Sequence, residues 1–544
     1  MPATACMMDP INFTLNMTFN YTRPYPGGRS PLMTRNVVST THPLAAQAGL
    51  SMLRAGGNAI DAIIATAAVL TVVEPCSNGL GSDLFALVWS PEDKALHGLN
   101  SSGRSPQAWS ADTFKGMQLM PERGWMAVSV PGAVAGWMAL SKRYGKLPFA
   151  DLLAPAIDTA ERGFMVTPII AGQWARAVPI LEKQPGYAQH FMPHGRAPLP
   201  GELFRNPAQA ESLRLIAESE GESFYRGQLA ARIVAHAKAN GGLLTGIDLA
   251  AHVADWVEPI RTNYRGYEVA EIPPNGQGIA ALMALGMMEQ FDVKSLGPDH
   301  PDYWHLAIES MKLAFRDVRA QVADPAYMNV SPSAMLDGDF LKRRAKLIDM
   351  KRAQDFSPSA ELRGGTVYLN AADESGMMVS LIQSNYMGFG SGVVVDGISL
   401  QNRACGFVLD PTHPNCVAGG KRPFHTIIPG FILKDGQPQS AFGVMGGHVQ
   451  PQGHLQTAIR MIDFGENPQA ALDGPRFRVE QGLELDLEPW TPIAVRESLV
   501  ARGHQLKENK DSYMDFGSGQ IIWKTDNGYI TGSDCRRDGG AVGF

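Results

Sequence analysis

The stretch GLGSDLFALVWS, residues 79 to 90, sets the first limit on what this chain can become. Read as a turn leading into a strand, it puts Phe85, Leu87 and Trp89 on one face and Leu84, Ala86 and Val88 on the other. Both faces are apolar, so the strand needs a packed layer above it and another below. The chain has enough residues for this. Its 544 residues allow two to four domain-sized units or one large layered α/β body, and 44% hydrophobic with 18% charged residues describes an ordinary soluble globular protein.

Other features exclude whole classes of function. The net charge of −6, with no cluster of Lys and Arg, argues against nucleic acid as a partner. The most apolar window, AIDAIIATAAVLTVVEP from Ala59, contains Asp61 and meets a proline before the roughly 20 residues that span a bilayer. It therefore predicts a buried helix and no membrane partner. Cys6, Cys76, Cys405, Cys416 and Cys535 are sparse and odd in number, and the first 31 residues lack a basic segment followed by an apolar run. A cytoplasmic protein is expected.

Along the chain, residues 1–34 read as an extended arm. Ala45 to Arg54 reads as a helix stopped by Gly56 and Gly57, and a second helix follows the N-cap Asn58. From about 132 to 355 the pattern is mostly helical. KRAQDFSPSAELRGG, residues 351 to 365, is polar and aperiodic and reads as an exposed loop. After Thr366 the chain turns to strands and turns, closing with a helix and strand set. No internal repeat is present.

The commoner catalytic signatures are absent: no Gly-x-Ser-x-Gly elbow, Walker loop, His-Glu-x-x-His or Cys-x-x-Cys. Asp410, His413 and Cys416 in DPTHPNC form a possible ligand trio, but a Pro-rich turn accounts for them. The glycines of GFGSG, 388 to 392, join two strands, not a strand and a helix, and so do not make a phosphate loop.

Thr366, in RGGTVYLNAADESG, differs in what a chain break would do to it. A threonine hydroxyl is a poor nucleophile without a base, and a chain-terminal threonine carries its own in an α-amino group of reference pKa about 7.7–8.0. Cutting the Gly365–Thr366 bond creates nucleophile and base together. Gly364 and Gly365 supply the freedom and lack of bulk that an internal N-to-O acyl shift needs. The same local pattern also describes a plain strand start. Likewise Gly446 and Gly447 in GVMGGH follow an apolar strand and are either a tight turn or an oxyanion hole of backbone N–H groups.

A long ordered series of segments resembles the γ-glutamyltransferases (glutathione hydrolases): GGNAIDAIIATAAVLTVVEP, GLGSDLFALVW, SVPGAVAGW, LAPAIDTAERGF, GGTVYLNAADESGMMVSLIQSN, KRPFHTIIPGFILKDG, GVMGGHVQPQGH and LDGPRFRVE. The resemblance runs from about Val37 to the C-terminus and looks closest to the bacterial branch without a secretion signal. It implies an N-terminal-nucleophile hydrolase with a four-layer αββα sandwich. One precursor would be cut at Gly365–Thr366 into a large chain, residues 35–365 behind the arm, and a small catalytic chain, residues 366–544, with the two forming one body. A homo-oligomer of that processed pair is a further possibility.

The resemblance assigns Thr366 as nucleophile and, through its α-amine, base. It assigns Gly446 and Gly447 to the oxyanion hole and Arg104, in SSGRSP, to the substrate carboxylate. Departures from the family pattern accompany these matches. The nucleophile is followed by Val367 and Tyr368 in place of Thr-His, and the supporting threonine becomes Ser384. Where the family surrounds a substrate α-amino group with Asn, Gln and Asp, the chain has Tyr386, Arg403 and Gly406, and a serine pair becomes His425 and Thr426. An arginine repels an ammonium, so Arg104 and Arg403 together favour a carboxylate-bearing substrate without a free α-amine.

The expected activity is amide hydrolysis or acyl transfer through an acyl-enzyme, with no metal or organic cofactor. γ-Glutamyl compounds such as glutathione are the default substrate. The alternatives are a small-acid amidohydrolase, such as one acting on oxamate, or a glutaryl or cephalosporin acylase. A reading of another class is an uncut, inactive binding or scaffold relative.

Overall fold

In the computed structural model, residues 28–356, 365–507 and 516–544 are described. The arm expected over residues 1–34 lies outside them up to residue 27, as do residues 357–364 of the loop expected before Thr366.

Asp83–Ser90 is buried at every residue, as two apolar faces require. It belongs to a seven-stranded antiparallel sheet in the order Gly540–Gly543, Val37–Thr40, Gly365–Ala372, Met378–Tyr386, Asp83–Ser90, Ala95–Ser101, Asp255–Val257. A second antiparallel sheet, also of seven strands, runs Leu32–Thr34, Gly528–Ser533, Ser518–Thr525, Gln437–Met445, Gly430–Lys434, Tyr267–Glu271, Ile260–Tyr264.

Side chains alternate along each strand, so each sheet has two faces to cover. Between the sheets, Phe85, Leu87, Tyr368 and Ile382 of the first pack with Phe431, Ala441, Met445 and Ile522 of the second. The outward set of the first sheet, including Leu84, Ala86, Val88, Leu369 and Leu381, joins a core built with Pro43–Arg54, Ala59–Val73 and later helices. Ile432, Phe442 and Ile521, facing outward from the second sheet, pack with Gly278–Met288, Pro301–Gln321 and Val449–Ile462. The layers are α, β, β, α, as the resemblance implies.

Local signals place the helices. Asn58 accepts from the Ile60 and Asp61 N–H groups while Asp61 accepts from the Asn58 N–H, a capping box that starts Ala59–Val73. Every residue of that helix is buried. It is the apolar window of the sequence, and among the described residues no helix is long and apolar enough to cross a membrane. The stretch read as mostly helical, 132 to 355, also carries Asp255–Val257, Ile260–Tyr264 and Tyr267–Glu271. Each sheet thus draws strands from both sides of the Gly365–Thr366 bond.

The gap between the sheets is tight. A Cβ added to Gly443 would lie 2.3 Å from the Tyr368 ring. Gly443→Ala is therefore expected to force the layers apart and cost about 1–3 kcal/mol, read as a lower midpoint in denaturant at unchanged slope.

Candidate active site

Three neighbouring strands bring their inward-facing residues to one end of the inter-sheet space. Phe85 and Leu87 face inward, so Asp83 does too; Tyr368 and Ile382 face inward, and by the same alternation so do Thr366 and Ser384. Ser384 lies opposite Asp83 in the ladder, and the register shifts between Gly365 and Val367 to set a bulge at Thr366. Thr366, Ser384 and Asp83 are fully buried.

The hydrogen bonds have a fixed direction. Ser384 Oγ lies 2.8 Å from the Gly365 carbonyl oxygen and 3.0 Å from Thr366 Oγ, and accepts the Tyr386 N–H at 2.7 Å. A carbonyl oxygen only accepts, so the single serine proton goes to Gly365 O and Thr366 must donate to Ser384. A proton path thus runs from the Thr366 hydroxyl through Ser384 to the carbonyl that precedes Thr366.

The second sheet supplies the glycines. Asn370 Nδ2 donates to Ala441 O at 3.1 Å, and Tyr368 lies over Gly443. These pairs advance by two residues, so the next one sets Thr366 against Met445, beside the turn at Gly446 and Gly447. Their φ angles are 131° and 62°, the left-handed side that favours glycine, and the helix Val449–Ile462 starts just beyond. Gln277 Nε2 ties the turn to the rest of the site, donating to Gly447 O at 2.9 Å and Thr426 O at 2.7 Å.

A buried charge network flanks the nucleophile position. Arg403 Nη1 donates to Thr426 Oγ1 at 2.7 Å, Arg403 Nε is 3.7 Å from Asp83 Oδ2, and the guanidinium carbon lies 4.2 Å from the centroid of the Tyr386 ring. His425 Nδ1 accepts the Ile427 N–H, so the ring proton is on Nε2, which donates to Asp83 Oδ2 at 3.0 Å. Burial holds His425 neutral, well below the ordinary histidine range, and pushes the Asp83 carboxyl up to about 7 against the pull of Arg403.

The structure therefore gathers Thr366, Ser384, Tyr386, Arg403, His425 and Thr426 into one cluster and sets Gly446 and Gly447 beside it. Gly406 presents its carbonyl to Asn415 at 2.6 Å. Arg104 is engaged elsewhere: it donates to Asp324 at 3.0 Å and to Gly420 O at 3.1 Å. It lines a hollow of about 230 Å³ with Asp248, His252, Asp255 and Arg422, to which no member of the cluster contributes.

Asp83 and Gln277 escaped the sequence reading. A carboxylate at the head of a strand with two apolar faces was the available signal for Asp83, since a buried charge persists only with partners.

Two other groupings bear on metals. In the turn of Asp410, His413 and Cys416, Asp410 accepts from Thr412, while His413 accepts the Asn415 N–H and bonds Arg319 O, so the side chains stitch the loop together. Among the described residues, metal-ligand types converge only at buried His305, Glu309 and His504. There Lys312 Nζ sits 2.8 Å from Glu309 and 3.3 Å from His504 Nδ1, supplying the positive charge itself.

Comparison with known proteins identifies the family. The family model described as gamma-glutamyltranspeptidase matches residues 45–544. The glutathione hydrolase-like YwrD proenzyme of Bacillus subtilis is 37% identical, over 95% of this chain and 100% of its own length. The oxamate amidohydrolase proenzyme of Klebsiella pneumoniae is 35% identical, over 95% and 99%. Among solved structures, a cephalosporin acylase from Bacillus halodurans superposes with a TM-score of 0.91 at 48% identity, covering 96% of this chain and 99% of that one.

Proposed function

The chain belongs to the gamma-glutamyltranspeptidase family of N-terminal-nucleophile hydrolases and transferases, and from that premise we propose that it cuts itself before Thr366 and then hydrolyses small amides through an acyl-enzyme. The observation that carries the reading is the bridge of Ser384 between Thr366 Oγ and the Gly365 carbonyl oxygen.

In the precursor, Thr366 Oγ attacks the Gly365 carbonyl carbon, its proton leaves toward Ser384, and the Ser384 proton stabilises the developing oxyanion. Ser384 passes a proton on to the departing nitrogen, the C–N bond breaks to give an ester on Thr366 Oγ and a free α-amine, and water hydrolyses the ester. In turnover the same Oγ attacks the substrate carbonyl, the α-amine takes the proton and delivers it to the leaving amine, and backbone N–H groups at Gly446 and Gly447 hold the oxyanion. Water then releases the acid. Every step is proton and acyl transfer by groups of the chain itself.

The relatives are named as a glutathione hydrolase-like protein, an oxamate amidohydrolase and a cephalosporin acylase, which supports cleavage of an amide of an acid as the shared chemistry. The processed pair of residues 1–365 and 366–544 would remain one body, because both sheets interleave strands from each. A reducing, cytoplasmic setting is part of the same reading, supported by Cys76, Cys405, Cys416 and Cys535, all free.

Ser384→Ala is expected to slow self-cleavage by about 10- to 100-fold, since it removes the donor to the scissile carbonyl and the acceptor of the threonine proton. Ser384→Thr keeps the hydroxyl and should cut at close to the parent rate. A time course of fragment appearance on a denaturing gel measures both, and an unchanged rate in the alanine variant would count against the relay.

A further inference from the structure

The turn at Gly446 and Gly447 is held from outside itself. Two consecutive glycines on the left-handed side of φ have no Cβ to fix their peptide planes, and the local bond to Gly447 O, from the Gln450 N–H, is long at 3.3 Å. The shorter bond, at 2.9 Å, comes from Gln277 Nε2.

Gln277 is fully buried and bridges two parts of the site. Its backbone N–H donates to His425 O at 2.9 Å, and Nε2 donates to Thr426 O at 2.7 Å as well as to Gly447 O. Both of the Nε2 acceptors are carbonyl oxygens, so its two hydrogens are spent on them and the amide fits only one way round. Oε1 then faces His448 Nδ1 at 3.1 Å, and an amide oxygen only accepts. The His448 ring therefore carries its proton on Nδ1.

That bond is what the polar side of the ring does. Burial, together with the charges of Arg319, Arg403 and Arg478, pulls His448 down to about 3, so the ring is neutral and has one proton to give. Nε2 has no hydrogen-bond partner among the described residues, and the ring stacks on Phe424 with centroids 6.2 Å apart.

We propose that His448 is a positioning residue for turnover: its Nδ1–H holds the Gln277 amide, Gln277 Nε2 holds the Gly447 carbonyl, and the Gly446 and Gly447 N–H groups stay fixed for the oxyanion. The inference rests on the acyl-enzyme reading, with Thr366 as nucleophile and these two glycines as oxyanion donors. It also divides the two reactions of the one hydroxyl. In self-cleavage the oxyanion is met by Ser384, so the link from His448 to Gly447 acts on turnover and not on cutting.

His448→Phe keeps a ring against Phe424 and removes the donor, whereas His448→Asn places an amide nitrogen where Nδ1 stood. The full chain is followed for self-cleavage on a denaturing gel. Once cut, it is assayed with whichever of glutaryl-p-nitroanilide, γ-glutamyl-p-nitroanilide and oxamate the parent turns over fastest. His448→Phe is expected to cut at the parent rate, keep KM within about threefold and lose about 10- to 100-fold in kcat, less than the outright loss of an oxyanion donor. His448→Asn should recover kcat to within about threefold of the parent. If His448→Phe gives no soluble, cut protein, His448→Gln, whose amide reaches toward the Nε2 position, takes its place and should show the same loss. Parent-like kcat without the donor, no recovery in His448→Asn, or self-cleavage slowed as much as turnover overturns the His448 assignment, and a slow Gly446→Ala in the same assay then leaves the oxyanion turn standing. Gly446→Ala as fast as the parent removes the turn from catalysis and this inference with it. A parent chain that neither cuts itself nor hydrolyses any of the three overturns the Thr366 reading as well.

Discussion

Thr366→Ala is expected to yield a single uncut chain, with amide hydrolysis reduced by about 10⁴-fold or more, because the proposed mechanism gives one hydroxyl both reactions. The effect on folding should be small by comparison. The lost contact is one hydrogen bond to Ser384, worth about 1 kcal/mol, in a position where strand pairing persists. Circular dichroism and thermal unfolding should therefore stay near those of the parent while the gel shows only full-length protein. Thr366→Ser retains the hydroxyl and should give the same two fragments more slowly. Cleavage and turnover that persist in the alanine variant would remove the mechanism.

The second large effect is expected at Gly446. Its φ of 131° is a conformation that side chains rarely adopt, and an added Cβ would lie 3.0 Å from the Gly517 Cα, a backbone atom that cannot swing aside. Gly446→Ala must therefore rotate the backbone of the turn, and the N–H groups proposed to hold the oxyanion rotate with it. Losing one such donor typically costs about 100- to 1000-fold in kcat, whereas the strain itself costs about 1–3 kcal/mol of stability. The expected result is a folded variant with KM close to the parent and kcat lowered by that factor, measured on whatever fraction has cut itself. A variant with kcat unchanged would place the oxyanion donors elsewhere.

The layered fold was legible because burial leaves a local mark. Both faces of Asp83–Ser90 are apolar, and that alone demands layers on either side. Edge strands leave a weaker mark: Ile260–Tyr264 alternates half-buried and exposed residues at the rim of the second sheet, and its polar positions blended into a helical stretch. Thr366 was legible as a place where a chain break makes chemistry. Ser384, Arg403 and His425 were named only through the resemblance and Asp83 not at all, because these pairings join distant sequence: Ser384 is 18 residues away from Thr366, Asp83 meets His425 across 342 positions, and Arg104 finds Asp324 across 220. No period or spacing records such pairings. The sequence reading treated Arg104 and Arg403 as one carboxylate-binding set, and the structure separates them, pairing Arg104 with Asp324 and Arg403 with Asp83.

The central claim is that the bond before Thr366 is cut and that the new terminus does the chemistry. The intact mass of purified parent protein, quenched during turnover of an anilide, tests it most directly. The account predicts two species, residues 1–365 and 366–544, with the second carrying the acyl group and beginning at Thr366. A single uncut chain that still turns over the amide would contradict it.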